Sequence, residues 1–279
     1  MQQARITAIH VYPVKSMRGI ALEQVELTPK GLRHDRRWMV VRPGGRFVTQ
    51  RDEPRLALVQ TRLEADGVTL AVAGHGSHFL PFESGGGPPI RSRVWGDEVE
   101  TEDEGDEASR WLNAAIGSDA GLRLVRMAAG FRRAEAPAGR FGNGTTVDFA
   151  DAAPLLVTFE GSLQALNRAL QAGGHGGVPM DRFRPNIVIA GPPPFSEHAL
   201  ESLSGDGWTI ALVDHCERCM VPTVNQQTAE RDPDREPYMT LRRINPVPGE
   251  KPAPGFGVNA RIAAGAGQVL QRGAAVTLS

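Results

Sequence analysis

Cysteine is almost absent: the 279 residues hold two, and both fall in Cys216-Glu-Arg-Cys219. A bridge between such close positions closes a very small loop and makes a poor staple, so no disulfide framework is expected. A reducing cytoplasm is the compartment that fits. Charge of one sign is not in excess either. Lys and Arg number 31 against 32 Asp and Glu, a net −1, which removes the global electrostatic case for nucleic acid. No apolar run approaches the roughly 20 residues of a membrane span. Met1 leads directly into alternating residues with neither an h-region nor transit-peptide character, so no membrane is expected as a partner. Aromatic residues are scarce at 6%, whereas 32 Gly and 21 Pro favour turns and short strands over a helical bundle.

What is present supports a sizeable core, since 41% of residues are apolar, too many for disorder. Ile6–Val14 alternates as a half-buried strand, and Pro13 suggests that it ends at an edge. Ala21–Leu27 alternates again before the turn Thr28-Pro-Lys-Gly31. Arg37–Arg42 reads as a strand, with Pro43-Gly-Gly-Arg46 making a hairpin to Phe47-Val48. Leu56–Leu63, Val68–Val72, Ile90–Trp95 and Glu98–Thr101 continue the pattern, the last two joined at Gly96-Asp97. A helix is expected over Asp106–Ile116, with acids at its start and Gly117 at its end. The Gly, Ala and Arg-rich stretch 128–144 reads as a linker between domains at 1–127 and 145–279. In the second half a strand runs into a helix over Thr158–Leu170. Strands follow at Arg184–Ala190, Ile210–Val213, Tyr238–Ile244, Phe256–Ile262 and Ala275–Leu278. The fold class is mainly β with a few helices (α+β), a barrel or sandwich rather than alternating βαβ units.

Three groups of residues bear on chemistry. Cys216 and Cys219 follow an apolar strand, and Arg218 beside them favours a thiolate. The spacing alone leaves open half of a zinc ribbon, a dithiol redox pair, or two inert thiols. Lys15, Ser16, Arg36, Arg182, Arg184 and Arg218 sit at strand ends among short turns, where an anionic ligand would find forked guanidinium donors and a point charge. For any one of them a solvated charge is the simpler reading. Thr158-Phe-Glu160-Gly-Ser162 after a strand would turn free backbone N–H groups toward its end, although as a lone signal N-capping by Thr158 is the simpler reading.

Five segments, taken in order, go further. They are Val11-Tyr-Pro-Val-Lys-Ser16, Gly31-Leu-Arg-His-Asp-Arg-Arg-Trp-Met-Val-Val41, Val48-Thr-Gln-Arg-Asp-Glu-Pro-Arg-Leu56, Asp181-Arg-Phe-Arg-Pro-Asn-Ile-Val188 and Cys216-Glu-Arg-Cys-Met-Val-Pro-Thr-Val224. With them the chain resembles the MOSC-domain proteins that bind molybdenum cofactor, in particular the branch containing the mitochondrial amidoxime-reducing component and its bacterial relatives. The resemblance implies an N-terminal MOSC-associated β domain and a C-terminal MOSC β-barrel, with Mo-molybdopterin between them. It implies Cys219 as the thiolate on molybdenum, a soft ligand for a soft centre. Lys15, Ser16, Arg36, Arg184 and Asn186 would hold the pterin and its phosphate, with Arg218 beside the metal ligand and backbone N–H groups of the turn holding Thr158, Glu160 and Ser162 at the same anion. The implied activity is reduction of N-hydroxylated small molecules such as amidoximes and hydroxylated bases. The alternative is a carrier of the cofactor or of sulfur. Two cysteines are too few for a [2Fe–2S] cluster, so electrons would come from a separate ferredoxin- or cytochrome-type protein. Asn225 stands where the family often has an acid, and Cys216 carries no implied role.

Overall fold

The computed structural model describes residues 4–83, 85–134, 146–249 and 252–279. Its strands are accompanied by three α-helices among the described residues: α1 (Asp106–Ile116), α2 (Glu160–Ala172) and α3 (Tyr238–Ile244).

Seven strands close into a barrel. Leu155–Phe159 runs parallel to Ile187–Ala190, which pairs with Ala4–Val11. The ring continues through Ala275–Leu278, Ser202–Gly205, Trp208–Glu217 and Ala253–Ala264, and returns to Leu155–Phe159. Closure pairs each strand on both sides and leaves no open edge in the ring. The one parallel pair needs a crossover, which α2 provides. Ile6, Val157, Ile189, Leu203, Ile210 and Val258 fill the interior.

The first strand of the chain thus belongs to a ring otherwise built from residues 155–278. Its register slips by one residue between Ile6 and Ala8, so that Ile6 and Ile9 are both buried despite their odd spacing. It is a central strand that ends at Val11, two residues before Pro13, and the edge suggested by that proline is not observed.

The first half carries a five-stranded sheet in the order Pro89–Val94, Asp97–Asp103, Arg123–Met127, Trp38–Val41, Phe47–Val48. Trp38–Val41 is buried on both faces. With a side-chain period of two, Trp38 and Val40 enter one core with Leu112 and Leu124, while Met39 and Val41 enter another with Val99 and Phe149. α1 begins with Asp106 and Glu107 and ends at Gly117 in the left-handed region, as its sequence signals require. A three-stranded meander, Gln60–Leu63, Gly67–Ala71 and Ser77–Pro81, completes this half.

Three local expectations are corrected. Tyr238–Ile244 is a helix, not a strand. The Glu236 carboxylate accepts the Thr240 N–H and hydroxyl, both at 3.0 Å, and Arg242 and Arg243 lie in the last turn, where the helix dipole favours cations. Leu56–Leu63 divides into a 3-10 turn over Pro54–Leu58 and the short strand Gln60–Leu63, because Pro54 at the start pre-sets the turn. The hairpin expected at Gly96-Asp97 turns one residue earlier, since Val94 pairs with Asp97 and Trp95-Gly96 form the turn. Of the linker read at 128–144, Arg133–Ala134 forms a short ladder with Thr146–Val147 and residues 135–145 lie outside the described residues. No described helix is long and apolar enough to cross a membrane.

Gly31 shows how closely the halves meet. Its φ is +113°, and a Cβ there would lie 2.6 Å from the Pro154 carbonyl oxygen. Gly31→Ala is expected to destabilise the protein by about 1–3 kcal/mol through backbone strain and this clash. A thermal melt equal to that of the parent would show that the turn does not bear on Pro154.

Candidate functional site

Four of the expected residues converge where the two halves touch. Arg36 Nη1 donates to Asn186 Oδ1 at 2.9 Å and forms a short ion pair with Asp35, while Arg36 Nη2 reaches the Arg184 carbonyl at 3.4 Å. Both guanidiniums lie over the ring of Tyr12, with centroid distances of 4.6 Å for Arg36 and 4.3 Å for Arg184. The Tyr12 hydroxyl donates to the Pro185 carbonyl at 3.1 Å, and its N–H to Asp35 at 2.8 Å. Lys15 is buried beside them, donating to the Phe149 carbonyl at 2.8 Å and pairing with Asp151. Ser16, next in the chain, is buried as well.

Several of these positions share a backbone signature. Ser16, Arg36 and Arg184 all have positive φ, at 69°, 48° and 56°. Non-glycine residues there cost of order 1–3 kcal/mol each and persist only where the surroundings over-determine them, which in general happens at functional sites. Burial and the neighbouring Arg36 bring Arg184 down to about 10, so it remains a cation at neutral pH. Burial likewise pulls Lys15 below the ordinary lysine range, with Asp151 opposing it. Tyr12 is pushed above the usual phenol range by burial, against the pull of both arginines, and stays a neutral donor.

The cysteine segment is tied to this cluster through the backbone around Arg184. Arg218 Nη2 donates to the Phe183 carbonyl at 2.9 Å, and Arg182 Nη1 to the Pro222 carbonyl at 3.0 Å. Arg218 Nη1 also donates to Cys216 Sγ at 3.0 Å, so Cys216 holds the guanidinium rather than standing idle. Burial pushes the Cys216 thiol up, against the Arg218 charge. Cys219 lies in the exposed turn just beyond the strand Trp208–Glu217. Arg184 Nη2 and Arg218 Nε are buried without a hydrogen-bond partner among the described residues. Two unsatisfied donors on cations beside an exposed thiol are what a multiply charged acceptor would require. Among the described residues, no group of three or more His, Cys, Asp or Glu is gathered to hold a metal.

The side chains of Thr158 and Ser162 are engaged within the second half, which leaves the backbone N–H groups expected of this turn untouched. Thr158 is fully buried with its hydroxyl on Met180 Sδ at 3.4 Å, and Phe159, not Thr158, is the N-cap of α2. Glu160 opens the helix, where its charge suits the dipole. Ser162 Oγ donates to the buried Glu197 carboxylate at 2.9 Å and accepts the Phe195 N–H at 2.8 Å. Asn225 accepts the N–H groups of Gln227 and Thr228 at 2.9 and 3.4 Å and caps a turn. Tyr12, Asp35 and Asp151 were not singled out from sequence. Tyr12 and Asp35 sit inside the quoted motifs, whereas Asp151 carried no signal.

The comparisons agree with one another. The family pattern of the MOSC N-terminal beta barrel domain matches residues 3–119, and that of the MOSC domain matches residues 144–277. The chain is 33% identical over 249 residues to mitochondrial amidoxime-reducing component 1 of Mus musculus, covering 86% of this chain and 71% of that protein. It is 32% identical over 250 residues to mitochondrial amidoxime reducing component 2 of Rattus norvegicus, covering 86% and 72%. It is 32% identical over 252 residues to the molybdenum cofactor sulfurase of Drosophila grimshawi, covering 87% of this chain but 31% of that one.

Glu197 yields a pH prediction. Burial raises its carboxyl to about 7, with Ser162 opposing. The folded state therefore binds a proton that the unfolded chain releases near pH 4.5, so stability falls as pH rises from about 4.5 to about 7 and levels off above. Glu197→Gln is expected to remove this slope and to raise stability at pH 8 by at most about 3 kcal/mol. Melts across pH 5–8 with the same slope in both proteins would mean that Glu197 titrates normally.

Proposed function

The chain belongs to the MOSC family, and from that premise we propose that it is a molybdenum-cofactor-binding oxidoreductase that reduces N-hydroxylated compounds such as amidoximes and hydroxylated bases. One observation carries the reading: Lys15 and Arg36 from the first half gather with Arg184 and Arg218 from the second, next in the chain to an exposed thiol, with Arg184 Nη2 and Arg218 Nε left unpartnered among the described residues. The donor set fits a phosphorylated pterin with a soft metal.

In this reading Lys15, Arg36 and Arg184 bind the phosphate and pterin oxygens. Asn186 orients Arg36 through its side-chain carbonyl. Arg218, held by Cys216 and the Phe183 carbonyl, would stand next in the chain to the ligand Cys219 and offer its unpartnered Nε to the bound group. Cys219 supplies the one protein sulfur. The bound cofactor would supply the redox chemistry, in which the N–O bond breaks, two electrons and two protons are taken up, and water leaves together with the amidine or the unmodified base. The electrons come from a separate redox protein. The exposure of Cys219 lets a bulky substrate approach from solvent.

Cys219→Ala is expected to abolish amidoxime turnover with a chemical reductant while leaving the melting temperature unchanged. Full turnover would remove the ligand assignment. Arg36→Ala or Arg184→Ala each removes a charged hydrogen bond, and should weaken cofactor retention about 10–100-fold. Elemental analysis of protein from a molybdopterin-producing host reads this directly, and unchanged molybdenum would count against the cradle. Molybdenum bound without turnover by any donor would favour a carrier instead.

A further inference from the structure

A broad cavity adjoins this site without being part of the cradle above. It has a volume of about 730 Å³ and is lined by Arg46, Phe47, Arg51, Asp52, Arg93 and Trp95. That is the size of a small-ligand pocket, about 300–1,000 Å³. Two of its walls are shared with the cation cluster. Trp95 Nε1 donates to Asp151 Oδ1 at 3.0 Å, the same oxygen that pairs with Lys15. The Lys15 ammonium lies 5.7 Å from the Phe47 ring.

Its chemistry is one-sided. Three guanidiniums face one carboxylate, and Asp52 is already bound to the Thr49 N–H and hydroxyl at 3.1 Å. Arg93 pairs with Glu98 at 3.2 Å with both groups more than half exposed, a contact worth little in water. Arg51 lies over the Trp95 ring at 4.5 Å, and Phe47 packs against it at 5.3 Å. Trp95 itself is 46% exposed and occupies a turn position with φ +55°. Asn or Gly suits that position, so a bulky indole there is a strained and solvent-facing choice.

We propose that this pocket receives the non-reacting part of the substrate and selects planar compounds bearing a carboxylate or phosphate, with the ring against Trp95 and Phe47 and the anion between Arg46 and Arg93. This rests on the reductase reading and narrows its substrate class. Arginine forks suit both anions, and an aromatic wall accepts any flat ring.

The test compares benzamidoxime with 4-carboxybenzamidoxime on molybdenum-loaded protein with a chemical reductant. The expected ratio of kcat/KM, carboxylate over neutral, is about tenfold or more at low salt and shrinks as salt screens the pair. Combined Arg46→Glu and Arg93→Glu should bring the ratio to about one or below, with molybdenum content at the parent level. A ratio near one in the parent, or one unmoved by charge reversal, overturns the proposal. So does a fall in molybdenum, which would assign the pocket to the cofactor. Binding is read separately by titrating 4-carboxybenzamidoxime against tryptophan fluorescence, with Trp95→Phe expected to lose the saturable change. Saturable binding without turnover of either compound would uphold the pocket and sink the reductase reading. Turnover of both compounds without preference would do the reverse.

Discussion

One buried amide holds the two halves in register. Asn186 is 1% exposed, and every polar group it carries is engaged. Its N–H donates to the Leu156 carbonyl and its carbonyl accepts the His10 N–H, at 2.9 and 2.8 Å. Its side-chain oxygen accepts from Leu156 N and Arg36 Nη1, and its side-chain nitrogen donates to the His10 carbonyl. A single residue thereby joins the first strand, the strand Leu155–Phe159 and an arginine from the other half. Inside a low-dielectric seam such a network is stable only when complete, because each group left unpaired costs about 1–3 kcal/mol. The position of Arg36, and with it the geometry of the cluster, follows from this constraint.

A second consequence concerns charge. Arg36 and Arg184 share one aromatic ring, and Lys15 is buried close by. Like charges taken out of water repel, and the protein offsets this with the Asp35 and Asp151 carboxylates and with backbone carbonyls at residues 149 and 184. The compensation stops short at Arg184 Nη2 and Arg218 Nε. Those open donors, together with three left-handed residues, are the features on which the proposed acceptor site rests.

The barrel also governs where the thiols sit. Trp208–Glu217 is a long strand of ten residues, and the chain leaves it at the rim through Arg218. Arg218 anchors that exit to Cys216 on one side and to Phe183 on the other. The exposed Cys219 turn is therefore held at its base while its sulfur remains accessible. Trp95 and Arg51, from short turns of the other half, wall the adjoining cavity. The groups given reactive and recognition roles in the proposals above thus come from loops, and the closed sheet supplies rigidity.

Much was legible in the residues themselves. The mainly β class, α1 with its acidic start and Gly117 stop, the hairpin at Pro43–Arg46 and the crossover into α2 follow from local periodicity and turn chemistry, which act over a few residues. Lys15, Arg36, Arg184 and Asn186 were identifiable because they lie in short motifs whose order along the chain is distinctive. Other features were not readable. Tyr238–Ile244 alternates like a strand, and only the Glu236 cap and packing of Leu241 make it a helix. The Ser162 hydroxyl is bound by Glu197, 35 residues away, a contact with no signal in the local sequence. Asp151 and Trp95 gained their places only through contacts across 136 and 56 residues. The linear order of residues thus determined most of the elements and the family, whereas tertiary structure alone decided that the first strand joins the later ring and which charges meet, because side-chain contacts between distant segments have no local signature.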